Sequence, residues 1–283
     1  MTYLDYASRG ANGAWRYGLS LILGPALAMG IGAAGLLILN LLHLIPADLA
    51  DQVTRPDHPV VFFTANGLIF AALLVGYQLA IRLLHRRRFR DLIGDWRWTR
   101  FGAGLGLWLA VLVAVTLIDY ALTPNGFHLS NQRPDLPIMA LAIAALAVQT
   151  FAEEFIFRGY LTQGLLLATR QPIAASVISG LVFGALHIPN GLPQAANAVM
   201  FGVVLSLIAI RTGGIAFTFG LHLINNLFGA VVVVSANDVF KGGPAFITQN
   251  TPNLNWWDMA VAALALLMVL SLVARATPPV TTT

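Results

Sequence analysis

Two adjacent carboxylates, an arginine, two histidines and an asparagine, set in otherwise apolar stretches, are the residues of this chain best able to do chemistry. Glu153 and Glu154 are the only glutamates among 283 residues, and they lie with Arg158 in a predominantly apolar run from Leu136 to Ala168. Each ionisable side chain in such a run costs roughly 2.5–3.5 kcal/mol on membrane insertion, so a group of three calls for a use. Glu154 and Arg158 are spaced i,i+4 on one helix face and suit a structural ion pair. Glu153, about 100° round the helix, is left free and suits a general base acting on water. His187 closes the run V-F-G-A-L-H one turn after Phe183 and would orient or share that water. His222 and Asn226, one turn apart on a single face, could donate hydrogen bonds to the oxyanion formed when a peptide carbonyl is attacked. Taken singly, each histidine reads equally well as a polar side chain joining two membrane helices. Their occurrence with the other polar groups on three helices of one half favours a site. His43, His58, His85 and His128 fall at span ends or in loops and read as wet imidazoles.

The elements that must carry these residues are membrane helices. The chain is 58% hydrophobic and 10% charged, with a mean hydropathy of +0.76, which excludes an ordinary soluble domain and predicts an all-α polytopic membrane protein of about eight transmembrane helices. The predicted spans are 19–44, 60–84, 101–122, 138–169, 173–188, 194–210, 215–234 and 256–274, with Pro46 ending the first. Prolines 189 and 193 make a dense turn between the fifth and sixth. Residues 1–283 read as one membrane domain, with residues 136–234 as its catalytic core helices. No removable signal peptide is expected. There is no cysteine, so cysteine protease chemistry is excluded.

A pI of about 9.8 would suggest nucleic acid in a soluble protein. Here the arginines cluster in one short loop, 82–100, with Trp96 and Trp98; that segment reads as lying against cytoplasmic head groups, and no nucleic-acid partner is expected. Of the 16 basic residues, only Arg55, Arg133 and Lys241 fall on the side away from the termini, so both termini are predicted to be cytoplasmic. The Ala- and Arg-rich, Lys-poor composition points to a bacterial cytoplasmic membrane.

Glu153-Glu154-x-x-x-Arg158, Phe183-x-x-x-His187 and His222-x-x-x-Asn226, in this order on successive apolar helices, resemble the CPBP family of intramembrane proteases. That family includes the CAAX prenyl endopeptidases and the bacteriocin-processing, Abi-like proteins. The motifs span residues 153–226, and all three are present without departure. The resemblance implies an endopeptidase in which Glu153 and His187 activate water and His222 and Asn226 stabilise the intermediate, with Glu154, Arg158 and Phe183 in support. It implies a membrane-associated or lipidated peptide substrate, a prenylated C-terminal tripeptide in the CAAX branch.

Members of the family are often described as metalloproteases, and Glu153, His187 and His222 are the candidate ligands. With no H-E-x-x-H and no sequence-close ligand pair, a metal-free water mechanism is preferred, with zinc as the open alternative. Ser176, Ser179 and Ser206 show no base at a motif-like spacing, which disfavours serine catalysis. A proton-coupled transporter is the alternative from another class, but it would usually show internal repeats, and none is seen; a non-catalytic scaffold or immunity protein of the same fold is the other. Counting from the turn at Arg170, Glu153 lies 17 residues before and His187 17 after, so the two should face each other at one depth. That count predicts a site open to the cytoplasmic side, capped by the 189–193 break.

Overall fold

A computed structural model describes residues 2–43, 45, 47–236, 238–250 and 256–277. Pro46, expected to end the first span, and Asn255, where the last loop should end, lie outside these residues. In chain order the helices are α1 (Tyr3–Ala7), α2 (Ala14–Leu41), α3 (Leu49–Gln52), α4 (Pro59–His85), α5 (Phe89–Ile93), α6 (Trp98–Leu122), α7 (Leu136–Glu153), α8 (Thr162–Thr169), α9 (Pro172–Ala185), α10 (Leu192–Thr212), α11 (Ala216–Leu227) and α12 (Trp256–Ala276). A π-helical stretch, Glu154–Leu161, joins α7 to α8, and a second, Phe228–Val232, extends α11. The protein is an all-α polytopic membrane protein, with a lipid-facing belt of exposed Leu, Ile and Trp that includes Trp256 and Trp257.

Among the described residues six helices are long and apolar enough to cross a bilayer, counting Leu136–Thr169 as one. The other two predicted spans are shorter, Pro172–Ala185 and Ala216–Val232. At about 1.5 Å per residue α9 covers only about 21 Å, less than the hydrocarbon thickness of about 30 Å. The seventh predicted span stops early because its last valines leave the helix for a strand. Such irregular backbone at membrane depth is tolerated where protein or a polar cavity surrounds it.

Besides the helices, three short strands form a sheet: β1 (Phe127–Leu129) pairs antiparallel with β3 (Ile247–Gln249), which pairs parallel with β2 (Val233–Ser235). This sheet ties the α6–α7 connection to the segment after α11. At the opposite end α1, α5 and α8 pack together, and a bridge joins Gly94 to Gly214.

That opposite end corrects the reading of the basic loop as a wholly interfacial segment. Arg87 is 1% exposed; it donates from Nη2 to Gln163 Oε1 and to the Tyr6 carbonyl. Asp91 is buried beside it and pairs with Arg9 at 2.6 Å. The short α5 folds the loop inward over the π-helical stretch, leaving Arg82, Arg86, Arg88 and Arg90 exposed. His85, expected to be wet, is fully buried: its Nδ1 lies 2.8 Å from the Ala11 carbonyl and its Nε2 2.8 Å from the Tyr160 hydroxyl.

Helix α9 is held against α10 by close approach. A Cβ on Gly180 would stand 2.6 Å from Val203 Cγ2, and one on Gly202 2.6 Å from Gly180 Cα. Gly180→Val should therefore force the helices apart, at about 1–3 kcal/mol, and displace Phe183 and His187 on the same helix. The check is a melting curve in detergent together with cleavage activity; an unchanged melting temperature would contradict this packing.

Candidate active site

The π-helical turn after Glu153 widens the helix where the chemistry-bearing residues are densest, a common feature of functional sites. Glu154 and Arg158 are both fully buried, and Arg158 Nη1 meets Glu154 Oε1 at 2.9 Å. The Arg158 guanidinium also lies 4.5 Å from the centre of the Phe183 ring, a desolvated cation–π contact. Phe183 in turn packs edge-on against His222, ring centres 6.0 Å apart, and against His187 at 4.5 Å.

His222, from α11, stands between the two glutamates. Its Nδ1 is 2.9 Å from Glu154 Oε1 and its Nε2 is 3.5 Å from Glu153 Oε2. An ionised Glu154 held by Arg158 can only accept, so the facing Nδ1 carries the proton. The Nε2 atom is left towards Glu153. Glu153 is thus less isolated than its position on the helix suggested: both carboxylates reach one imidazole, and Gln149 Nε2 lies 3.5 Å from Glu153 Oε1. His187 follows the same logic. Its Nδ1 lies 2.8 Å from the Phe183 carbonyl, which only accepts, so Nε2 holds the lone pair.

Glu153, Phe183, His187, His222 and Asn226 all line one cavity of about 130 Å³. The volume suffices for a few waters. Several of its polar residues were not singled out by their spacing. Asn66 of α4 donates to Gln149 Oε1 at 2.6 Å. Asn226 donates to Thr150 Oγ1 at 3.3 Å and accepts from Asn225 at 3.3 Å, while Trp108 donates to Asn225 at 3.1 Å. Gln149 was detectable as the polar residue one turn before Glu153 in an apolar run. Asn66 and Trp108 carry no local signal, because their partners are distant in sequence.

The donor set does not fit a zinc site. Among the described residues no three of His, Asp, Glu or Cys come together at ligand spacing, so Glu153, His187 and His222 line a common cavity without forming a ligand trio. Of the candidate serines, Ser179 and Ser206 both bond Thr162, at 2.9 and 3.0 Å, while the buried Ser176 hydroxyl has no partner among the described residues and does not line the cavity.

The mouth of the cavity corrects another expectation. It is lined by Asn190, Gln194, Asp238 and Val239, so it opens beside the 189–193 break rather than towards the Arg170 turn. On the Arg170 side the site is sealed by Tyr3, whose hydroxyl donates to the Arg158 carbonyl, and by the Arg87–Gln163 pair. The short α9 explains the reversal: it ends at Ala185, and the cavity fills the depth it leaves.

Asp238 brings a second carboxylate to the wall. Burial pushes its carboxyl up to about 6, only partly offset by the backbone N–H groups of Phe240 and Val239. The folded protein therefore holds a proton there between about pH 4 and pH 6 that the unfolded chain has lost, and stability falls as pH rises through that interval. Asp238→Asn should raise stability above pH 6 by about 1–2 kcal/mol and leave it nearly unchanged below pH 4. Melting curves at pH 4 and pH 8 measure this; a lower melting temperature for the variant at pH 8 would contradict it.

Over 271 residues, 87% of each chain, the protein is 28% identical to the uncharacterized protein YyaK of Bacillus subtilis (strain 168). Residues 135–228 match the family described as type II CAAX prenyl endopeptidase Rce1-like. That segment runs from the cap of α7 past Asn226, so the match to this family covers the region that carries the site.

Proposed function

We propose that the protein is an intramembrane endopeptidase that hydrolyses a peptide bond with water activated by Glu153 and His187. The observation that carries this reading is the pairing of His222 with both glutamates at the floor of a polar cavity. Water held between the Glu153 carboxylate and His187 Nε2 gives up a proton to Glu153 as its oxygen bonds to the peptide carbonyl carbon. The oxyanion so formed accepts a hydrogen bond from the Asn226 amide, and from His222 Nε2 when that atom also carries a proton. Collapse of the intermediate breaks the C–N bond, and the proton on Glu153 passes to the departing nitrogen. Glu154, Arg158 and Phe183 hold His222 in its tautomer and orientation. The sealing of the cavity at its inner end favours hydrolysis over transport, which needs access from both sides.

The metal-free form of this mechanism rests on the donor set. Purified protein incubated with a panel of prenylated and unprenylated peptides should give two fragments by mass spectrometry, and prolonged chelation should leave the rate within about twofold. Loss of activity on chelation, restored by zinc, would recast Glu153, His187 and His222 as ligands. Absence of cleavage of every peptide would overturn the endopeptidase reading.

A further inference from the structure

An amide side chain has nearly the same shape with its oxygen or its nitrogen forward, so an amide that must donate to a reacting atom needs a neighbour that fixes which way it turns. Asn226 has two side-chain partners among the described residues. Its Nδ2 lies 3.3 Å from Thr150 Oγ1, and its Oδ1 lies 3.3 Å from Asn225 Nδ2. The Thr150 hydroxyl can donate or accept, and the Asn225 amide can turn either end, so neither fixes the direction alone. The direction is set one step further back. Trp108 of α6 places its indole Nε1 3.1 Å from Asn225 Oδ1, and an indole N–H only donates. Asn225 therefore turns its oxygen to Trp108 and its nitrogen to Asn226. That occupies the Asn226 oxygen and leaves its nitrogen with one N–H for Thr150 and a second with no partner among the described residues.

We propose that Trp108 and Asn225 are positioning residues for the hydrolytic step, a relay that aims an N–H of Asn226 at the oxyanion formed on the attacked carbonyl; this rests on the endopeptidase reading. A reversed Asn226 would present its oxygen there and exchange attraction for repulsion. Asn225 and Asn226 both line the cavity, whereas Trp108 does not and acts only through them. Packing holds the indole where the relay needs it. Helices α6 and α11 approach so closely that a Cβ on Gly104 would strike the Phe217 carbonyl and one on Gly220 the Phe101 carbonyl. One turn beyond Gly104, Trp108 is 3% exposed and sits edge-on against Phe201, ring centres 5.4 Å apart. Asn225 and Asn226 are neighbours on α11 and project about 100° apart, so one meets α6 while the other meets α7 at Thr150, one turn before Glu154.

Asn225→Asp supplies the test, because a carboxylate accepts on both sides. It keeps the bond from Trp108 and draws the Asn226 N–H to itself, away from the oxyanion. With purified protein and the peptide of the panel that the wild type cleaves fastest, kcat should fall about 10²-fold, the cost of losing one oxyanion donor, with KM within about twofold. Trp108→Phe keeps an aromatic ring against Phe201 and removes the N–H; it should lower kcat by about 2–10-fold, again with KM unchanged, and serves alone if the charged variant fails to fold. Each substitution is then repeated in an Asn226→Ala background, where a relay acting through Asn226 has nothing left to aim, so the further change in kcat should be within about twofold. A carboxylate that merely repelled the oxyanion, or a tryptophan that merely packed, would cost the same factor in both backgrounds. That result overturns the relay, as does an unchanged kcat for either folded variant in the wild-type background. Absence of cleavage by the wild type itself overturns the endopeptidase reading, and the relay with it.

Discussion

Glu154→Gln should lower the stability of the folded protein by about 3–5 kcal/mol, and Arg158→Met by a similar amount, because each strands a buried charge. Neither side chain has any exposure. Without Glu154, the Arg158 guanidinium keeps only the face of Phe183, since no hydrogen-bond partner among the described residues reaches its Nε or Nη2. Without Arg158, Glu154 retains no cationic partner among the described residues beyond His222 Nδ1, with the Thr218 hydroxyl as its other side-chain contact. The double variant should be less destabilised than the two single losses summed, because no lone ion then remains. Melting temperature and the yield of monodisperse protein in detergent measure this. Additive losses, or single variants as stable as the wild type, would show that the pair does not hold the π-helical turn in place.

Much of this arrangement was legible because it is local. The i,i+4 spacing of Glu154 and Arg158 survives the π-helical turn as an ion pair, and the same spacing puts Phe183 against His187. Apolar runs located all eight main helices to within a few residues. What escaped was set by packing between distant segments. The convergence of both glutamates on His222 depends on α11 crossing α7, which no spacing within α7 encodes. Arg87 and His85 looked like solvated loop residues because their partners, Gln163 and Tyr160, are more than 70 positions away. The direction of the cavity turned on α9 ending at Ala185, a short helix inside an apolar run that continues to Ile188. Residues 127–129, 233–235 and 247–249 are too short to show a strand period.

Glu153→Gln carries the largest expected effect on catalysis. Glutamine keeps the shape of the side chain, and its amide can still meet Gln149 and His222, so the fold should be retained with a melting temperature close to that of the wild type. It cannot take a proton from water, and loss of a general base slows a reaction by about 10²–10⁴-fold. The division of labour between the two glutamates therefore rests on one comparison: the rate at which equal amounts of folded wild-type and Glu153→Gln protein cleave the same peptide. The variant should be at least about 10²-fold slower with its thermal stability unchanged. Equal rates for the two proteins would contradict the assignment of Glu153 as the base, and with it the account of how this cavity hydrolyses a peptide bond.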